Sequence, residues 1–210
     1  MNRLLAFIFI LGLMVFLLGC QSDQKQTAKI QKTLVESASF EHHFTANLSD
    51  LNETRKSAQS IYVELISLDI NDQNQIHQQI DKAQSYTKEQ QKLLEEATEN
   101  FQKAYQMVVT LEEPIQKMKD KKLKKQASKL ITMMNERKNV IDSFFENYHK
   151  NIETQNTFYQ QLADENYHLK NLNELIHEIN NRTQSMEAII QEFNQSTQQY
   201  IDLEKKILNH

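Results

Sequence analysis

The reading of the fold turns on the stretch Ile76–Met118, IHQQIDKAQSYTKEQQKLLEEATENFQKAYQMVVTLEEPIQKM. Within it Ile76, Ile80, Ala83, Thr87, Gln90, Leu94, Ala97, Phe101, Ala104, Val108, Leu111, Ile115 and Met118 recur in alternating steps of four and three residues. Such steps bring one side chain per turn to the same side of an α-helix. Sustained over many turns, they make the heptad-like seam of helices packed in left-handed bundles. The residues between are mostly Gln, Lys, Glu and Asn, which suit a solvated face.

Working outward, the same pattern recurs on both sides. Upstream it reads Ile30, Leu34, Ser37, Glu41, Phe44, Leu48, Leu51, Arg55, Ala58, Tyr62 and Leu65. That run stops at Asp69–Asp72, where Asn71 is the expected N-cap of the next helix. Downstream the phase slips by one residue, to Leu123, Ala127, Leu130, Met134, Arg137 and Ile141. It then drifts to Phe145, Tyr148, Ile152, Gln155, Tyr159 and Leu162. Beyond Ala163–Lys170 a last seam follows Leu172, Ile176, Ile179, Thr183, Met186, Ile190, Phe193, Thr197, Tyr200, Glu204 and Ile207.

The slip marks a chain reversal with two candidate positions. One is Glu112–Pro114, because proline ends or kinks a helix. The other is Met118–Lys122, where Lys117 and Lys119 suit a helix C-terminus and Asp120 an N-cap. Either choice gives four segments of roughly 40 to 48 residues, about 60–70 Å each at the α-helical rise. Four rods of similar length with short connections predict an all-α, antiparallel, up-and-down bundle.

The N-terminus says where such a bundle is expected to live. Met1-Asn2-Arg3 is a short basic start, and Leu4–Leu18 carries no charge. About 15 apolar residues match the hydrophobic region of a signal peptide and fall short of a membrane-spanning helix. Directly behind stands Leu17-Leu18-Gly19-Cys20, with the only cysteine of the chain. A small residue before the cut and a thiol after it are what lipoprotein processing requires, although Leu18 is bulkier than usual in this box. Residues 1–19 are therefore expected to be removed, with diacylglycerol attached to Cys20. Residues 20–25 would form a short polar tether, and 26–210 one bundle domain. Two acyl chains give stable anchoring, so the expected location is the extracellular face of the cell membrane.

Composition narrows the function classes. Both glycines, Gly12 and Gly19, lie in the segment to be removed, and the remainder has no tryptophan and one proline, Pro114. Without glycine, phosphate-cradling loops and nucleophile elbows are hard to build. The whole chain has a formal charge of −4, and loss of Arg3 makes it more negative. That balance, together with export, speaks against nucleic-acid partners.

Three stretches carry a family resemblance. They are Ile61-Tyr62-Val63-Glu64-Leu65-Ile66; Met134-Asn135-Glu136-Arg137-Lys138 running on to Tyr148; and Ile179-Asn180-Asn181 through Phe193-Asn194-Gln195-Ser196-Thr197. With the lipobox, their order and spacing resemble the cell-wall-binding lipoprotein family of Gram-positive bacteria, the YkyA-like proteins, over the whole mature chain. The resemblance implies a four-helical bundle on the outer face of the cytoplasmic membrane. It supplies no catalytic residues, and the family's name states a presumed ligand rather than a mechanism.

Candidate chemistry is sparse. Glu146 with His149, Glu165 with His168 and Glu174 with His177 have the Glu-x-x-His spacing of dimetal bundles. Seam phase, however, puts Glu146, His149, Glu174 and His177 on outer or flanking positions, so no metal or other cofactor is expected. No nucleophile–base set is evident, and the reading is that the protein is not an enzyme. Two polar layers interrupt the seams when residues are counted from the distal turns. Arg55, Thr87 and Thr183 share one level, with Gln90 and Gln155 within roughly a turn. Glu41, Arg137 and Thr197 share the other, beside Phe101, and a Glu41–Arg137 contact is expected. Such layers fix register and topology, or line a small ligand pocket between helices.

A basic cluster remains: Lys117, Lys119, Lys121, Lys122, Lys124 and Lys125, opposed by Asp120. In an up-and-down bundle the second reversal returns to the end that holds Cys20. These lysines are then expected near anionic headgroups or lipoteichoic-acid phosphates, at up to ~1 kcal/mol each. The distal turns, Asp69–Asp72 and Ala163–Lys170 with Tyr167 and His168, would be the outermost points. The expected function is a non-catalytic, membrane-anchored envelope lipoprotein that contacts peptidoglycan, teichoic acid or a protein partner. The alternative is an accessory helical subunit docked on an integral membrane complex.

Overall fold

The computed structural model describes the backbone of residues 2–69, 72–164 and 168–209 and the side chains from Asp23 onward. The thiol of Cys20, Asn71, Glu165 and Tyr167 fall outside that description. The helices are α1 (Asn2–Ser67), α2 (Gln73–Val109), α3 (Glu112–Gln116), α4 (Lys121–Ala163) and α5 (Leu169–Leu208). Among the described residues there is no strand. Among those same residues no helix is long and apolar enough to cross a membrane.

The four long helices form an antiparallel bundle. Ser37 Oγ donates to the carbonyl of Ala104, Asn47 Nδ2 to Glu96, and Gln79 Nε2 to Glu64. Rising numbers on α1 therefore meet falling numbers on α2. Packing follows chain order: α1 on α2, α2 on α4, α4 on α5, and α5 closes on α1 as the loosest of the four neighbouring pairs.

Side-chain caps start α2 and α4, and no described residue has positive φ. Asp72, one residue beyond the expected Asn71, caps α2 by accepting from the Gln75 amide at 3.2 Å. The second reversal combines both candidate positions. In an unbroken helix the Pro114 ring would meet the carbonyl of Thr110, and α2 duly ends at Val109 with Thr110 as its C-cap. Pro114 then sits in the first turn of α3, where a missing N–H costs nothing. The chain turns back at Lys117–Asp120, and Asp120 caps α4 by accepting from the Lys122 and Leu123 amides.

The core centres on four rings. Phe44 lies 5.1 Å from Phe101, 6.5 Å from Phe145 and 5.7 Å from Phe193, so one ring from each long helix meets at one level. Burial of each ring contributes about 2–3 kcal/mol, and edge-on pairing adds about 1 kcal/mol per contact. Helices differ in how much they bury. α2 buries its whole seam from Ile76 to Val108, and α4 buries adjacent pairs such as Phe144–Phe145 and Phe158–Tyr159, being packed against two long neighbours. In contrast α5 fully buries only Leu172, Ile179, Met186, Phe193, Tyr200 and Ile207, a strict seven-residue repeat. Its other seam positions, Ile176, Thr183, Ile190, Thr197 and Glu204, are half-buried.

Candidate functional site

The half-buried row of α5 faces the half-buried row Glu41, Leu48 and Arg55 of α1. Together they make the loosest seam of the bundle, and most of the seam's charged residues stand here. A polar side chain tolerates this location because part of it keeps its water, whereas the tight α1–α2 and α4–α5 seams would strip it.

Nearer the N-terminal end of α1, Arg137 of α4 crosses the core to this seam. Its residue is 1% exposed, yet every direction of its guanidinium is occupied. Nη1 and Nη2 donate to Oε1 and Oε2 of Glu41 at 3.0 and 2.6 Å, and Nε donates to Thr197 Oγ1 at 3.1 Å. The bidentate fork matches a carboxylate in a way lysine would not. Above and below, the guanidinium faces the rings of Tyr200, Phe193 and Phe101 at 4.5, 5.3 and 5.5 Å. Glu204 stands one turn further along α5. Burial first, then the Glu41 charge, push its carboxyl up to about 7. Burial likewise holds the Tyr200 hydroxyl well above the usual phenol range.

The second layer is assembled differently from the sequence expectation. Arg55, Gln90, Gln155 and Thr183 do line one small cavity of about 20 Å³, joined by Tyr62, Asn151 and Ile179. Thr87 is not among them: its hydroxyl faces α4 and donates to Asn156 Oδ1 at 3.1 Å. Gln90 accepts from the Tyr148 hydroxyl at 2.7 Å, while Gln90 Nε2, Asn151 Oδ1 and the Tyr62 hydroxyl have no partner among the described residues. Arg55 pairs with Glu187 across the seam at 3.5 Å.

Between the two layers lies an apolar chamber of about 350 Å³. Leu48 and Leu51 of α1, Phe144 and Tyr148 of α4, and Met186 and Ile190 of α5 make its walls. Thr45, Ser49, Asn52, Arg55, Glu187 and Asn194 rim its mouth. At the distal side Arg55 also borders an open polar cleft with Lys56, Gln59, Asn180 and Gln184.

At the other end of the molecule the lysine turn is tied to the start of the chain. The Asp23 carboxylate accepts from the backbone amides of Lys119 and Asp120 at 2.7 and 3.0 Å. Asp23–Lys25, expected as tether, already belong to α1. Lys117, Lys119, Lys121, Lys122 and Lys125 are exposed, and Lys124 is half-buried with its ammonium on the Gln116 carbonyl at 2.7 Å. Glu113 pairs with Lys117 and with Lys29, which hold its carboxyl below the usual range. Lys119, Lys121, Lys122 and Lys125 form no ion pair among the described residues.

The two Glu-x-x-His pairs among the described residues, Glu146 with His149 and Glu174 with His177, do not converge on a metal site. Glu146 pairs with Lys150, Glu174 and His177 are exposed on α5, and among the described residues no three His, Cys, Asp or Glu side chains gather as a metal site needs. Sequence reasoning missed Glu187, Asn151 and the coupling of Glu204 to Glu41. Glu204 was visible on the last seam four residues after Tyr200. Asn151 carried no signal, because a one-phase seam through Tyr148 and Ile152 leaves it on the flank.

The fold defines the class: an all-α protein whose long helices form a polar-faced antiparallel bundle. A family-level sequence match covers residues 25–210, and that family is described as a putative cell-wall binding lipoprotein. The chain belongs to this family, YkyA. No curated protein and no solved structure matches the chain.

Proposed function

We propose that this protein is a non-catalytic lipoprotein held on the outer face of the cytoplasmic membrane by diacylglycerol on Cys20. Its lysine turn rests on an anionic surface, and its polar helix faces bind cell-wall polymer. The observation that carries this reading is the Asp23 clamp. It fixes the lysine turn Lys117–Lys125 beside a residue three positions beyond Cys20, with no loose linker from Asp23 onward. A lipid on Cys20 would then bring Lys117, Lys119, Lys121, Lys122, Lys124 and Lys125 into the headgroup layer or against lipoteichoic-acid phosphates. At up to ~1 kcal/mol per lysine, replacing all six by Gln in the unacylated protein should weaken binding to anionic vesicles by more than roughly a hundredfold, and zwitterionic vesicles should bind neither unacylated form. Unchanged affinity for anionic vesicles would reject the surface contact.

Mass spectrometry of the mature N-terminus tests the anchor, an unacylated Cys20 being the refuting result. Incubation with purified sacculi, with and without teichoic acid, tests polymer binding. The accessory-subunit reading is favoured by the exposed apolar pair Val63 and Ile66, one turn apart on α1. Crosslinks confined to membrane proteins, with no retention on sacculi, would select it.

A further inference from the structure

We propose that the chamber between α1 and α5 is a binding site for a single-chain anionic amphiphile: its apolar body lies against Leu48, Phe144, Met186 and Ile190, and its carboxylate or phosphate is taken by Arg55. This goes beyond wall binding and does not depend on it.

Three observations support the assignment. The chamber holds about 350 Å³, near the lower end for small-molecule sites, which suits one chain and excludes a two-chain glycerolipid. Its walls are apolar while its charged groups, Arg55 and Glu187, stand at one end, so a ligand must itself be divided into an apolar and a charged part. At that end stand Arg55 and Lys56 against Glu187 alone, which leaves a positive balance. The Arg55–Glu187 pair is a poor rival for Arg55: it is 3.5 Å long and the Glu187 side chain is 58% exposed, so an incoming anion displaces it cheaply. Behind Arg55 the unpartnered Gln90 Nε2, Asn151 Oδ1 and Tyr62 hydroxyl belong to residues at most 5% exposed, all lining the cavity that Arg55 borders. Buried polar atoms without protein partners are rare and mark places where something else supplies the hydrogen bond. A headgroup oxygen, directly or through one water, suits them.

The test uses the full chain in phosphatidylcholine nanodiscs with a diazirine-labelled dodecanoate, its uncharged alcohol analogue, and a two-chain phosphatidic acid carrying the same label. Sites are mapped by peptide mass spectrometry. The expected result is dodecanoate labelling concentrated on Leu48–Arg55 and Met186–Asn194 and competed by unlabelled dodecanoate. Labelling should fall about tenfold in Arg55→Gln, in proportion to a lost charged hydrogen bond, with helical content and melting temperature retained. Ile190→Trp, which fills the chamber and leaves Arg55 in place, should abolish it as well. The alcohol and the phosphatidic acid should label these peptides weakly. Labelling spread evenly over the helices, insensitivity to both variants, or equal labelling by the alcohol would overturn the proposal. Preferential labelling by phosphatidic acid would overturn the single-chain assignment.

Discussion

Replacing Arg137 removes more than a salt bridge, and the structure sets how much more. Arg137→Ala deletes two hydrogen bonds to Glu41, one to Thr197 and three ring contacts. It leaves Glu41, whose side chain is 19% exposed, without its partner. Breaking a buried pair from one side costs about 3–5 kcal/mol, because the stranded charge loses its partner without regaining full hydration. For a chain of this size each kcal/mol corresponds to roughly 2–4 °C in melting temperature, so a fall of about 6–20 °C is expected by calorimetry. Arg137→Lys keeps the charge but neither the fork nor the planar stacking, and should lie between. The Glu41→Gln, Arg137→Met double variant removes both charges at similar volume and should recover most of the loss, coming within about 2 kcal/mol of the parent. A melting shift under about 3 °C for Arg137→Ala, or additive effects in the double variant, would refute the reasoning.

Glu204 makes the bundle sensitive to mild alkali. Its carboxyl is raised from 4.5 to about 7 in the folded chain, so folding retains a proton that the unfolded chain releases across that window. The stability it contributes is complete below about pH 4.5 and lost as pH rises through about 7. The full shift corresponds to about 3 kcal/mol, which partial exposure reduces to about 1–2 kcal/mol. Glu204→Gln should therefore flatten the pH dependence of urea unfolding between pH 5 and 8 and raise stability at pH 8; an unchanged profile would dismiss the effect. Asp120→Ala should cost about 1 kcal/mol through the lost α4 cap, read as a lower denaturation midpoint with an unchanged slope. Asp23→Ala should speed hydrogen exchange of the Lys119 and Asp120 amides while the core amides keep their protection, and equal rates would show the clamp to be idle.

Most of the fold was legible because seam periodicity is a direct record of burial. The α2 seam read from sequence coincides with its buried residues, with Leu93 added. Legibility failed where a helix buries adjacent residues, as in α4, whose paired burial at Asn151 and Ile152 mimics a drifting phase. The reversal stayed ambiguous because two breakers act in series, Pro114 ending α2 and Asp120 starting α4. Of the polar layers, Glu41, Arg137 and Thr197 were found by level counting, since heptads carry height faithfully over few turns. Thr87 is buried in the core as expected, but height says nothing of azimuth, and its hydroxyl looks toward α4 rather than the α1–α5 side. The chamber was hidden for a related reason, as a gap between helices leaves no mark on a hydrophobic repeat.

Arg137 also bears on how the chain assembles. The α1–α2 and α4–α5 hairpins each close between sequence neighbours, whereas Arg137 reaches Glu41 across 96 residues and needs Thr197 from the last helix. If the hairpins dock one turn out of step, the guanidinium is left dry and unmatched, a state that unravels rather than persists. A single cation thus proofreads the mating of two halves that apolar stripes alone would let slide.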